Sequence, residues 1–196
     1  MATTSQNLEN NARASPGGDA RRPRPSVVSS GQGLPAHGRG RPKKRVQQQQ
    51  QPLRLGTLNI GTMTGRSREL ADTLKIRRID IACIQETKWT GAKARDIGDG
   101  FKLFYNGNKP QNGVGIVVSQ KVRDNVVEVT RMSDRLMSLK IDTGDITMRV
   151  TSCYAPQTNC SESDKEDFWE SLDVHLRALG PEEYNAIGGD LNGHVG

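Results

Sequence analysis

Between Leu53 and Glu86 the apolar pattern changes period twice, and this limits the fold of the chain more than any other feature. Leu53-Arg54-Leu55-Gly56-Thr57-Leu58-Asn59-Ile60 alternates apolar with other residues, as a strand does, and closes on an amide. A turn-rich stretch over 61–65 follows. Residues 66–78 then read as a helix with Leu70 and Leu74 inward, carrying the basic residues Arg66, Arg68, Lys75, Arg77 and Arg78. Ile79-Asp80-Ile81-Ala82-Cys83-Ile84-Gln85-Glu86 is apolar almost to its end, the pattern of a strand buried on both faces. A strand, a helix of about three turns and a second, buried strand make a βαβ-like unit, so the expected class is α/β.

After a polar, basic connection holding Trp89, Lys93 and Arg95, short strands are expected at 101–105, 114–119, 126–132, 135–141 and 147–154. Asn106-Gly107, Asn112-Gly113, Ser133-Asp134 and Thr143-Gly144 suit the hairpin turns between them. Antiparallel pairs after a βαβ-like start imply a mixed sheet. Ser163-Asp164-Lys165-Glu166 has the spacing of a capping box and would open a helix running to about Leu179. Phe168, Leu172, His175, Leu176 and Leu179 share one face of it, which sets His175 at the edge of the core. Gly180-Pro181 would stop the helix.

Residues 1–52 differ in kind. They hold almost no long apolar or aromatic side chains, and nine of the 28 Lys/Arg against two of the 22 acids, a net of +7. The remaining 19 bases and 20 acids nearly cancel, so the basic character belongs to this leader. Such a composition buries too little surface to offset the entropy of ordering, and the leader is expected to be disordered, with the folded domain spanning 53–196. Within it Arg39-Gly40-Arg41-Pro42 resembles the core of an AT-hook, and Pro42-Lys43-Lys44-Arg45-Val46 a nuclear import signal. Arg39, Arg41, Lys43, Lys44 and Arg45 are thus candidate DNA contacts, unless the cluster is only a solvated basic linker. Gln47 to Gln51 form a polar linker tract. Cys83, Cys153 and Cys160 are odd in number and lack CxxC spacing, which suits reduced intracellular thiols. No apolar run reaches membrane-spanning length. The expected location is the nucleus, and the expected partner is DNA, with no membrane and no protein partner.

Polar residues gather at the expected strand ends. Asn59 closes the first strand and Glu86 the second. Tyr154 closes the last of the short strands, and Ala186-Ile187-Gly188-Gly189 runs into Asp190-Leu191-Asn192. Each has an ordinary alternative: Glu at a strand exit costs nothing, a buried Tyr satisfies its hydroxyl, and Gly-Asp-x-Asn is a common turn. If residues 186–192 are a strand, Asp190 and Asn192 point to the same side. The glycines would let the backbone approach a phosphate or a metal closely. Glu86 at the mouth of a buried strand suits Mg²⁺, which takes one or two carboxylates and leaves its other positions to water and phosphate, and the carboxylate and carboxamide of Asp190 and Asn192 suit metal-assisted attack on a phosphodiester.

Together, Leu58-Asn59-Ile60, Ile84-Gln85-Glu86-Thr87, Asn112-Gly113-Val114-Gly115-Ile116, Tyr154-Ala155-Pro156 and Gly189-Asp190-Leu191-Asn192 resemble successive motifs of the endonuclease/exonuclease/phosphatase superfamily, which includes deoxyribonuclease I and the apurinic endonucleases. The wording of residues 61–66 and 84–89 is similar to the endonuclease of RTE/BovB-type LINE retrotransposons. The resemblance implies a four-layer α/β/β/α sandwich and Mg²⁺-dependent hydrolysis of phosphodiesters in DNA, with Mn²⁺ as a substitute ion. Glu86 would hold the metal with Asp190 and Asn192. Asp190 would orient or deprotonate the attacking water, and Asn192 would hydrogen-bond a phosphoryl oxygen. Asn59 would position Asp190 or the metal shell, and Tyr154 would contact the scissile phosphate.

Two departures qualify the transfer. Gly61 stands where some relatives carry an acid, and the sequence reaches Gly196 without the further acid and Ser-Asp-His segment that close the family's site. His194 lies too near Asp190 in sequence to take that histidine's place. The expectation is therefore the N-terminal part of such a domain, with weak or absent activity, an exposed apolar sheet face and an unpaired edge. The alternative from another class is a non-catalytic DNA-binding protein that acts through its basic leader. A phosphatase acting on phosphoinositides or nucleotides would use the same motifs.

Overall fold

A computed structural model describes residues 52–193. The leader with Arg39, Arg41, Lys43, Lys44 and Arg45, and His194 at the other end, lie outside the described residues. The chain forms β1 (Leu55–Asn59), α1 (Ser67–Arg77), β2 (Ile81–Gln85), β3 (Gly91–Gly98), β4 (Phe101–Gly107), β5 (Val114–Val118), α2 (Gln120–Arg123), β6 (Val126–Ser133), β7 (Leu136–Asp142), β8 (Thr147–Tyr154), α3 (Glu162–Arg177) and β9 (Tyr184–Asp190). One sheet has the order β1-β2-β5-β4-β3 and the other β6-β7-β8-β9.

The βαβ unit forms as expected: β1 and β2 are parallel neighbours, with Asn59 opposite Gln85. β2 is buried throughout, and its alternate residues separate the layers. Ile81 and Cys83 face the second sheet, packing with Met137, Leu139 and Val150. Ala82 and Ile84 face α1, packing with Leu70, Ala71 and Leu74. On the far side, Phe168 and Leu172 of α3 cover Leu136, Cys153 and Ala155. The result is the α/β/β/α order of layers, a mixed α/β fold with two sheets.

Three details differ from the sequence reading. Residues 91–98, expected as a connection, form edge strand β3, paired antiparallel with β4. Only Ile97 in it is buried, so no apolar alternation announces it, and its Lys93 and Arg95 are typical of a protected sheet edge. Asn106-Gly107 is not a turn but the end of β4, where Asn106 donates to the Ser133 carbonyl at 2.7 Å. The cap of α3 is Ser161 rather than Ser163. Its hydroxyl accepts from Asp164 N–H at 3.1 Å, the same three-residue spacing two positions earlier. His175 sits at the core edge as expected, 3.1 Å from the Thr151 hydroxyl, and burial lowers its pKa.

An ionic cluster fixes β9 to its sheet. Buried Arg149 on β8 reaches Glu183, just before β9, at 3.0 Å and both oxygens of Glu128 on β6 at 3.0 and 3.2 Å, while Lys140 on β7 also pairs with Glu183. Arg149 holds both carboxyls below the usual range, Glu128 at about 2. A depressed carboxyl stabilises the fold above its unfolded pKa, and that contribution disappears as pH falls through the folded value. Glu128 is half exposed, so solvent discounts its share. Arg149→Met is expected to cost about 2 kcal/mol at pH 7, by leaving Glu183 with Lys140 alone and Glu128 without its bidentate partner. The same variant should flatten the acid limb of the melting temperature between about pH 5 and pH 2. Thermal melts across that range check both, and a variant with an unchanged acid limb would contradict the assignment.

Candidate active site

The strand directions bring four distant segments together. β1 and β2 run parallel, β8 and β9 run parallel, and β1 lies alongside β9. The C-terminal ends of β1, β2 and β9 therefore open on one cleft of about 540 Å³, lined by Asn59, Gln85, Asp190, Asn192 and their neighbours, and the end of β8 lies beside it with Tyr154 opposite Asp190. At its floor the Asn59 amide Nδ2 donates to Glu86 Oε1 at 2.9 Å and to Asp190 Oδ2 at 3.0 Å. The Tyr154 hydroxyl donates to the same Glu86 Oε1 at 3.0 Å. Asn59 Oδ1 accepts from Gly61 N–H at 3.0 Å, which orients the amide so that its nitrogen faces the acids.

Glu86 follows β2 with φ of +55°, a conformation that a residue with a Cβ holds only when its surroundings impose it. Here they do. Thr87 N–H bonds to the Gly113 carbonyl, Lys88 N–H to Asn112 and Met63 N–H to Thr87. Burial pushes the Glu86 carboxyl up, but hydrogen bonds from Asn59, Tyr154 and Lys88, with the Lys88 charge, outweigh it and hold the acid below its ordinary range. Tyr154 moves the other way: burial, then the bond to ionised Glu86, raises its phenol.

Asp190 ends β9, and the chain then turns: Asn192 has φ of +47° and its N–H bonds to Asp190 Oδ1 at 3.0 Å. The turn and the site coexist at this motif. Asn192 does not extend the strand beside Asp190, as period-2 geometry predicted. Its Nδ2 donates to the Ala155 carbonyl at 2.6 Å and ties the ends of β8 and β9 together, leaving that nitrogen one further hydrogen. The glycines also have another purpose than approach to a ligand. A Cβ on Gly189 would lie 2.3 Å from the Cys153 carbonyl oxygen and Sγ, and one on Gly188 would lie 2.9 Å from Cys83, so they serve close packing of protein on protein.

Three functional candidates escaped the sequence reading. Gln157 donates to the Tyr154 hydroxyl at 3.2 Å, and Arg135 donates to the carbonyls of Tyr154 and Ala155 with its guanidinium 5.2 Å from the Tyr154 ring centre. Lys88 lies 3.4 Å from Glu86 Oε2. Only Lys88, two residues after the acid, and Gln157, three after the tyrosine, had a signal in their spacing; Arg135 had none.

No cluster of three or more His, Cys, Asp or Glu forms a metal-binding group among the described residues. Hard oxygen donors from carboxylates are what a divalent cation such as Mg²⁺ takes from a protein, and Glu86 and Asp190, both bonded to one amide, could supply them. A second, apolar groove between β1 and β9, lined by Leu55, Ile81, Val150 and Ile187, offers no such chemistry. Burial and the neighbouring Cys153 hold its Cys83 thiol at about 12, too high to react.

The model of the Endonuclease/Exonuclease/phosphatase family matches residues 56–195. The chain belongs to this family. It is also 30% identical over 146 residues to craniofacial development protein 2 of Bos taurus, covering 72% of this chain and 24% of that protein. The chain thus spans about a quarter of the length of the curated relatives it matches. Among solved structures it is similar to an AP endonuclease from Archaeoglobus fulgidus, with 26% identity, a TM-score of 0.55, and 72% of this chain aligned to 58% of that one. The endonuclease domain of TRAS1, a telomere-specific non-LTR retrotransposon, shares the fold, with 20% identity, a TM-score of 0.56, and 74% and 62% covered. In this family member β1 and β9 each form one edge of their sheets, where Leu55, Leu58 and Ile187 are exposed, as is Leu191 just after β9.

Proposed function

We propose that this site hydrolyses phosphodiester bonds in DNA with a divalent cation, Mg²⁺ or Mn²⁺, held by Glu86 and Asp190 with Asn192 nearby. The observation that carries this is the single Asn59 amide nitrogen bridging the carboxylates of Glu86 and Asp190. Two acids from separate sheets, oriented by one donor at an open cleft, are unusual for a purely structural role and suit water activation beside a phosphate. A bound cation would supply Lewis acidity at the phosphate oxygens. Asp190, an acceptor at both oxygens, would orient the attacking water and take its proton. Tyr154 would hold Glu86 and present its phenol edge to the scissile phosphate, and the remaining N–H of Asn192 would donate to a phosphoryl oxygen. DNA is preferred over other phosphate esters because the solved relatives include an AP endonuclease and a retrotransposon endonuclease domain. Descent from an RTE/BovB-type retroelement and a nuclear location, argued from motif wording and the basic leader, complete the proposal.

Relaxation of supercoiled plasmid in Mg²⁺ tests it, on this chain and on any longer form that includes it. Nicking should stop in EDTA, return with Mg²⁺ or Mn²⁺, and fall at least a hundredfold in Glu86→Gln. Nicking that survives EDTA, or is indifferent to Glu86→Gln, would refute it.

A further inference from the structure

The two oxygens of Glu86 are not equivalent. Oε1 accepts from both Asn59 and Tyr154, and Oε2 faces the Lys88 ammonium at 3.4 Å. Oε2 is therefore the oxygen left for an incoming cation, and a side-chain cation already stands beside it. The backbone enforces this. Thr87 between them is fully buried, while Glu86 and Lys88 both have left-handed backbones, at φ of +55° and +53°. The carbonyls of Gly113 and Asn112 and the N–H of Met63 fix this segment from either side. Glu86 and Lys88 are thereby turned to the same side, with their charged ends in contact and both partly exposed.

We propose that Lys88 is a resident counter-cation for Glu86, which a divalent ion must displace from Oε2 before it can bind. This rests on the proposal that Glu86 holds the metal. The physical reason is competition for one charge. At separations of about 4 Å two like charges repel appreciably even under solvent screening, so ammonium and metal cannot both occupy Oε2 without a loss of affinity. Without metal, Lys88 pairs with the Oε2 side of the acid. With metal, it swings away on its flexible stem, free to meet phosphate. The lysine thus raises the ion concentration at which the site fills and restores the empty arrangement when the ion leaves.

Mn²⁺ binding, followed by the electron paramagnetic resonance signal of the free ion, tests this without reference to turnover. Wild type, Lys88→Met, Lys88→Arg and Glu86→Gln are compared, each checked by thermal melting. Lys88→Met should bind Mn²⁺ about tenfold more tightly, Lys88→Arg should stay near wild type, and Glu86→Gln should lose the site. If Glu86→Gln loses the site while Lys88→Met is unchanged or weaker, the counter-cation role is overturned and the metal assignment survives. If Glu86→Gln binds like wild type, the metal assignment fails and the role of Lys88 fails with it.

Discussion

Asp190→Asn is expected to reduce Mg²⁺-dependent nicking by about a thousandfold or more, with little change in melting temperature. The substitution is nearly isosteric. An amide oxygen in place of Oδ2 would still accept from Asn59 Nδ2, or one in place of Oδ1 from the Asn192 N–H, so most of the local scaffold survives. What the amide cannot do is take a proton from water or bring a negative charge to a cation. A stability measurement beside the kinetics therefore separates chemistry from folding. Were Asp190 only the first residue of a turn, the variant would retain activity, and the proposed role would be wrong. Mn²⁺ affinity should fall in parallel, because the second carboxylate of the pair is gone.

Gly189→Ala, one residue earlier, is expected to act in the opposite way, through the fold. β9 lies parallel to β8 with Gly189 opposite Cys153, and a methyl at 189 would sit 2.3 Å from the carbonyl oxygen and the Sγ of that residue. A side chain can rotate away, but a strand carbonyl cannot, so the strands must separate at that point. Overpacking of this kind costs about 3 kcal/mol, or roughly 10 °C in melting temperature for a domain of this size. Adding Cys153→Ala to the variant should recover only the part due to Sγ, leaving the clash with the carbonyl. Activity should fall as well, because a displaced β9 carries Asp190 away from Asn59. Melting close to wild type would show that β9 is not seated against β8 in this register.

The βαβ start was legible because burial on both faces leaves β2 no polar position until Gln85. The identity of Asn59, Glu86, Tyr154 and Asp190 was legible because polar residues at the ends of apolar strands stand out and fall in a recognisable order. β3 was not, because an edge strand gains its structure from the ladder to β4 rather than from its own side chains. The cap of α3 was misplaced because two serines two residues apart offer the same spacing, and only the tertiary position of the chain selects Ser161. Arg135 acts on Tyr154 through contacts that no local pattern encodes.

Residue order alone determined the class of fold, its family, and which four strand ends hold the candidate polar residues. Tertiary structure decided how they meet. The parallel pairing of β1 with β2 and of β8 with β9 brings Asn59 within hydrogen-bond distance of an acid 27 residues away and another 131 residues away. It also decided that Gly188 and Gly189 serve packing against the two cysteines, that Asn192 ties two strand ends together, and that Lys88 stands at the free oxygen of Glu86. The reason is the same in each case: a side chain's chemistry is local to the sequence, but its partner is set by the packing of layers that the sequence specifies only as a whole.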